Sequence, residues 1–236
     1  RFYNRGFTDD FEEWVSIKAT YHDNPRASES DIAEARRSMS TAEFSQEYEA
    51  DFNIFEGQIW TLNYDECVQD LSEMDFTGCD IISGLDVGFK DPTAFCCLAY
   101  DGDKYYLMEE YYAAERTTEE HAGFLGEIIE RREVDYCFID AAAAQTRFDL
   151  AQQYDISTIN AKKSVVDGIG HVASLIDNDR LIVDQRCTEV LRALDQYRWD
   201  TNPNLLREKP IHDSASHMAD ALRYALYSFE ENAPTF

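Results

Sequence analysis

Three aspartates sit in apolar runs that would carry their carboxylates to one place. Asp86 lies in Ile81-Ile82-Ser83-Gly84-Leu85-Asp86-Val87-Gly88, Asp140 ends Tyr136-Cys137-Phe138-Ile139-Asp140, and Asp220 lies in His217-Met218-Ala219-Asp220-Ala221-Leu222-Arg223-Tyr224. A carboxylate at the end of a buried strand is costly to desolvate unless something pairs with it. Three that converge repel one another, and divalent metal is the usual remedy. Taken singly, each aspartate reads as a turn or cap residue. Taken together, they predict metal-dependent phosphodiester chemistry.

A second pattern adds to the first. Asp213, His217 and Asp220 are spaced i, i+4, i+7, and Tyr224 continues the stripe. On a helix such residues share one face. The rest of that helix is apolar, with Ala215, Met218, Ala219, Ala221, Leu222, Ala225 and Leu226. An Asp/His/Asp stripe there suggests metal-site geometry. The blander reading makes Asp213 an N-terminal cap, His217 an ordinary buried histidine and Asp220 a surface charge.

Positioning these groups requires particular elements. Strand-like runs cover about 80–87, 93–100 and 104–112, and Asp101-Gly102-Asp103 reads as a hairpin turn between the last two. The first three strands are therefore expected to be antiparallel neighbours. Thr117 to Arg132 is expected to be a helix, with Ala122, Leu125, Ile128 and Ile129 on one stripe. The strand Val134–Ile139 follows, closed by Asp140. Helices are expected near 146–154, 164–178, Cys187–Tyr197 and Ser214–Phe229, with short strands at Ile156–Asn160 and Leu181–Val183. This order predicts an α/β fold, a mixed β-sheet flanked by helices. Residues 1–75 differ: they suggest a strand from Trp14, a helix opened by Ser28-Glu29-Ser30-Asp31, another from Thr41, and an acidic connector. The expected organisation is thus an N-terminal linker segment over 1–75 and a folded domain over 76–236. The first residue is Arg1, and the start carries neither an initiator Met nor an apolar signal core. The chain therefore reads as a piece of a longer protein.

Composition narrows the chemistry further. The 236 residues are 44% hydrophobic and 13% aromatic, enough for a sizeable core. No apolar run approaches the roughly 20 residues that span a bilayer. The six cysteines form no C-x-x-C pair, which argues against a zinc site and fits a reducing compartment. The net charge is −26, which speaks against a simple nucleic-acid binder. That charge is uneven. Residues 1–140 hold 11 Lys+Arg against 33 Asp+Glu, a net of −22, and residues 141–236 hold 10 against 14, a net of −4. A DNA-facing surface should therefore draw on the second half, from Arg147, Lys162, Lys163 and Arg198 among others.

These motifs carry a resemblance. Gly84-Leu85-Asp86-Val87-Gly88 followed by Asp91-Pro92-Thr93-Ala94 resembles the first strand of RNase H-like nucleases, and Phe138-Ile139-Asp140 their second acidic motif. His217-Met218-Ala219-Asp220-Ala221-Leu222-Arg223-Tyr224-Ala225 is similar to the C-terminal motif of tailed-phage large terminase subunits. Asp23-Asn24-Pro25, Phe44 to Phe52 and Gly57-Gln58-Ile59-Trp60 resemble the end of the packaging ATPase and its linker. No G-x-x-x-x-G-K-[ST] loop occurs, so no ATP hydrolysis is expected of this chain.

The resemblance implies a metal-dependent endonuclease that cuts concatemeric double-stranded DNA at the start and end of packaging. Asp86, Asp140 and Asp220 would be the metal triad for two divalent ions, Mg²⁺ or Mn²⁺. Asp86 would bridge, His217 would be a site histidine and Asp213 an accessory carboxylate. Asp91 would be second to these or merely begin an Asp-Pro turn, the preferred reading. The implied partners are DNA, an ATPase domain on the same polypeptide, the small terminase subunit and the portal protein, with the host cytoplasm as location and no membrane. Alanine at any triad aspartate is expected to leave the fold intact, since it relieves carboxylate repulsion. Two other readings stay open. A strand carrying G-x-D-x-G also occurs in actin-like and sugar-kinase nucleotide-binding folds. An acidic docking or DNA-mimic module would explain the charge without chemistry.

Overall fold

A computed structural model describes residues 19–24, 26–39, 44, 47–50, 57–200 and 209–230. The chain divides into two units, Arg1–Ile54 and Phe55–Phe236. In the first, helix α1 spans Glu29–Ser38, as the Ser28-led start signal implies. Its acids Glu29 and Asp31 lie in the first turn and Arg36 and Arg37 in the last, matching the helix dipole. Phe44 is 2% exposed, stacks on Tyr48 at 4.9 Å and receives the Arg36 guanidinium at 4.1 Å. The strand expected from Trp14 and the start of the helix expected at Thr41 lie outside the described residues.

The second unit is built on a sheet of strands β1 (Val68–Gln69), β2 (Asp80–Asp86), β3 (Thr93–Tyr100), β4 (Tyr105–Ala113), β5 (Tyr136–Ile139), β6 (Ile159–Asn160) and β7 (Leu181–Asp184). Their order across the sheet is β1-β7-β4-β3-β2-β5-β6. The antiparallel meander β2-β3-β4 is as expected. The neighbours β5 beside β2 and β7 beside β4 are parallel, so the sheet is mixed. Between β3 and β4 the register shifts at Cys97/Leu98, a bulge. At the hairpin, Asp101 Oδ1 accepts the amides of Asp103 and Lys104, and Gly102 takes φ +100°.

Side chains alternate across the strands and feed two cores. On one face Ile82, Cys96, Leu98, Leu107, Phe138 and Val183 pack against helices α5 (Val165–Asp177), α6 (Thr188–Gln196) and α7 (Ser214–Glu230). On the other, Ile81, Leu85, Phe95, Cys97 and Ile139 pack against α3 (Thr118–Arg132) and α4 (Ala144–Gln153). The first of these cores also takes in Trp60, Leu62 and Cys67, so part of the stretch read as connector is packed against the domain. Trp60 donates its indole N–H to the Ile169 carbonyl at 3.1 Å. The six cysteines are free, and five are buried.

Helix α7 crosses β2, β3 and β5, and Gly84 is what allows it. A methyl group at Gly84 would sit 1.9 Å from the Ala221 carbonyl oxygen and 2.8 Å from the Ala225 nitrogen. Backbone meets backbone there, which only glycine permits. Among the described residues, no helix is long and apolar enough to cross a membrane.

Candidate active site

Asp86 is the last residue of β2, and β5 runs parallel beside it with Leu85 opposite Ile139. The residues that follow that pair, Asp86 and Asp140, therefore leave the same edge of the sheet. Helix α7 brings His217 and Asp220 to that edge. His217 Nδ1 lies 3.0 Å from Asp86 Oδ2, with the His217 side chain 8% exposed. The Asp86 carboxylate raises the His217 pKa, outweighing burial, and Asp91 and Asp220 add to the effect.

The other two carboxylates have cations of their own. Asp140 Oδ1 accepts the Ala142 amide at 3.0 Å, capping the turn Ala141–Ala143, and meets Lys163 Nζ at 2.7 Å. Burial pushes the Asp140 carboxyl up, but that amide and Lys163 prevail and hold it below the ordinary range. Asp220 Oδ1 meets Arg223 Nη2 at 2.9 Å, with side-chain exposures of 26% and 3%. Burial raises the Asp220 carboxyl and the Asp86 charge adds to it, while Arg223 opposes both. Arg223 Nη1 also reaches the Lys162 and Ser164 carbonyls at 3.5 and 3.4 Å. One buried guanidinium thus ties α7 to the loop that delivers Lys163 to Asp140. The Tyr224 hydroxyl beside them is raised by burial first, then by Asp220, Asp86 and Asp140, against Arg223. All three aspartates therefore act on one phenol.

Asp213 stands just before α7. Its Oδ1 accepts the Ala215 amide at 2.9 Å and its carbonyl accepts the Ser216 amide at 3.1 Å. It caps the helix instead of lying on its face, because the helix begins at Ser214. Among the described residues, the acidic and histidine side chains whose ligand atoms all lie within 4.8 Å of one another are Asp91, His212 and His217. The rings of His212 and His217 are edge to face at 5.0 Å. Asp86, Asp140 and Asp220 do not form so tight a set and pair instead with His217, Lys163 and Arg223.

A family model described as the terminase RNaseH-like domain matches residues 83–229, well over half of the chain and all three aspartate motifs. The chain belongs to this terminase family. It is 48% identical over 96% of its length to the large terminase subunit of Escherichia phage T5, spanning 54% of that relative. The chain thus covers about half the length of the curated relative it matches. In fold it is similar to the large terminase of a thermophilic bacteriophage, at TM-score 0.76 and 22% identity over 92% of this chain and 55% of that one. It is also similar to the large terminase nuclease domain of bacteriophage SPP1 with bound Mn, at TM-score 0.56 and 22% identity over 73% of this chain and 99% of that one.

Some functional candidates escape the sequence patterns. Asp91 sits in a tight turn, as its Asp-Pro dipeptide implies, yet its carboxylate also joins the histidine pair. His212 lies in the coil before α7, where no helical spacing relates it to His217. Lys163 pairs with Asp140 while its side chain stays largely exposed. Arg147 bonds Asn160 and Thr158, so its guanidinium bridges α4 to the β6 segment. Arg198 is exposed at an isolated bridge with Gln58.

Proposed function

We propose that this chain is the nuclease portion of a viral genome-packaging motor, an endonuclease that cuts concatemeric double-stranded DNA when packaging begins and ends. The observation that supports it most is the arrangement of Asp86, Asp140 and Asp220. One ends a central strand, one ends its parallel neighbour, and one lies on the helix packed across both. Asp140 and Asp220 are matched by the positive groups Lys163 and Arg223, and Asp86 by the His217 imidazole, whose protonated form it favours. That is how a cluster of carboxylates built for cations is kept from repelling itself.

Asp86, Asp140 and Asp220 would hold the two divalent ions of this reading; carboxylate oxygens suit Mg²⁺, and an imidazole nitrogen tilts the choice toward Mn²⁺. When bound, such ions activate a water and stabilise the leaving 3′ oxygen of a cut phosphodiester. His217, held by Asp86 and favoured in its protonated form, offers a proton at the same edge. Arg223 holds Asp220 and the 162–164 loop in place. Lys163, 57% exposed in its side chain, is placed to shift from Asp140 to a substrate phosphate. In the assembled motor the partners would be double-stranded DNA, a packaging ATPase domain on the same polypeptide, the small terminase subunit and the portal protein, in the host cytoplasm. Residues 1–75 would be the end of that ATPase region and its linker, and 76–236 the nuclease domain.

Plasmid digestion in Mg²⁺, Mn²⁺ or EDTA tests this reading. Cutting is expected with either metal and not with EDTA, and Asp86→Ala should lower it by at least a hundredfold. Retained cutting in Asp86→Ala would contradict the assignment.

A further inference from the structure

A second site lies beside the first. A cavity of about 270 Å³ opens on the opposite face of β2, walled by Leu85, Leu125 and Leu150 and rimmed by Phe89, Arg116 and His121. That volume is at the small end of the roughly 300–1,000 Å³ usual for ligand pockets, so it takes a ring-sized group.

His121 is only 5% exposed, and its Nε2 is buried without a hydrogen-bond partner among the described residues. Its other nitrogen is engaged. Arg116 Nη1 donates to the Tyr111 oxygen at 3.2 Å, and Tyr111 Oη lies 2.8 Å from His121 Nδ1. With Arg116 donating to Tyr111, the tyrosine hydroxyl is free to donate to Nδ1. That assignment leaves the hydrogen on Nε2. Burial, and then Arg116, hold the His121 pKa down, which favours the neutral ring, and in this tautomer the buried Nε2–H is an unspent donor. A buried donor without an acceptor is costly, and a ligand acceptor would remove that cost.

The rim is aromatic and basic. Phe89 is 66% exposed and followed by exposed Lys90. The Arg116 guanidinium is held 4.7 Å from the Phe124 ring centroid. The Glu115 amide donates to the Phe89 carbonyl at 2.9 Å, locking the two rim segments together. Thr93 Oγ1 donates to the Gly88 carbonyl and accepts its amide, so the turn bearing Phe89 is held at the end of β2, immediately after Asp86.

We propose that this cavity holds one unpaired nucleobase of a DNA strand next to the cut. Apolar walls take the base, Nε2–H of His121 donates to a ring carbonyl or nitrogen, Phe89 stacks, and Arg116 and Lys90 meet the attached phosphate. The proposal rests on the nuclease reading for the strand's position, not for binding. Val87, Gly88 and Phe89 follow Asp86 directly, so the rim of the cavity is continuous with the strand end that carries Asp86.

The test is done in EDTA, where no cleavage can occur. The chain, with its histidine rings followed by ¹⁵N NMR, is titrated with dTMP, dGMP, inorganic phosphate and deoxyribose 5-phosphate. Both nucleotides are expected to shift His121 saturably, and the two base-free probes are not. Phe89→Ala and His121→Phe should each weaken nucleotide binding about tenfold. Phe89 is a surface residue, so its variant keeps the test valid even where His121→Phe fails to fold. No His121 shift with either nucleotide, or equal shifts from phosphate alone, overturns the proposal. Metal-dependent cutting without base binding overturns it while leaving the nuclease reading standing. Base binding with no cutting in any metal supports the cavity and overturns the nuclease reading.

Discussion

Asp220 and Arg223 show how one residue pair changes an expectation drawn from charge alone. Repulsion among carboxylates implies that removing any of them should be harmless or stabilising. Arg223, however, is 2% exposed, and Asp220 is its anionic partner. Asp220→Ala strands a buried guanidinium and is expected to cost on the order of 3 kcal/mol. Asp86→Ala leaves no buried permanent charge and should cost far less. Chemical denaturation of the two variants in EDTA measures the difference, and Asp220→Ala with Arg223→Met should recover part of the loss. Arg223 was not legible as an internal counter-ion, because arginine is normally an exposed residue and nothing in its neighbours marks its burial. His217 carries a second expectation. Its pKa in the folded chain lies above the ordinary 6.5 because Asp86 stabilises the imidazolium. The stability it contributes is therefore complete below about pH 6.5 and is lost as pH rises through the folded value. Melting curves in EDTA between pH 6 and 9 should show a fall on the order of 1 kcal/mol that His217→Gln removes. A wild-type curve that is flat or rising there would contradict the Asp86–His217 contact.

Among elements, the junction between β2 and α7 positions the site. Gly84 allows close approach, and Asp86 and His217 meet only because the helix lies directly on the strand. Gly84→Ala must move backbone rather than a side chain, so a loss of about 3 kcal/mol or more is expected, with cutting reduced further than stability alone explains. Thermal unfolding and plasmid digestion of one sample separate the two effects. The long elements were legible, because β2 to β4 are largely apolar and aromatic runs set off by turn residues and α3 carries a clear stripe and cap. Of the short ones, β6 and β7 were legible and two others were not. The helix Tyr64–Cys67 (α2) and the strand β1 are too brief for any period, and their place beside β7 is set by tertiary packing. For Asp213 the cap reading, not the place on the α7 face, is what the structure shows. A residue one step before a helix shares its spacing in sequence but spends its carboxylate on the backbone.

For the whole molecule, the first part is strongly acidic and the second near neutral, a balance that disfavours tight DNA binding by this chain alone. The proposed triad draws on aspartates set in apolar runs, two at strand ends and one within α7, a signal that survives distance in sequence. The histidine pair with Asp91 was not legible, because coil residues have no period and only the fold brings them together. That leaves two places where a divalent ion could settle, the triad and the Asp91–His212–His217 set, and they can be told apart directly. Crystals of the chain soaked in Mn²⁺ and measured at the manganese edge should show anomalous density within ligand distance of Asp86, Asp140 and Asp220, with Lys163 withdrawn from Asp140. Density confined to Asp91, His212 and His217, with none near Asp140, would contradict the account.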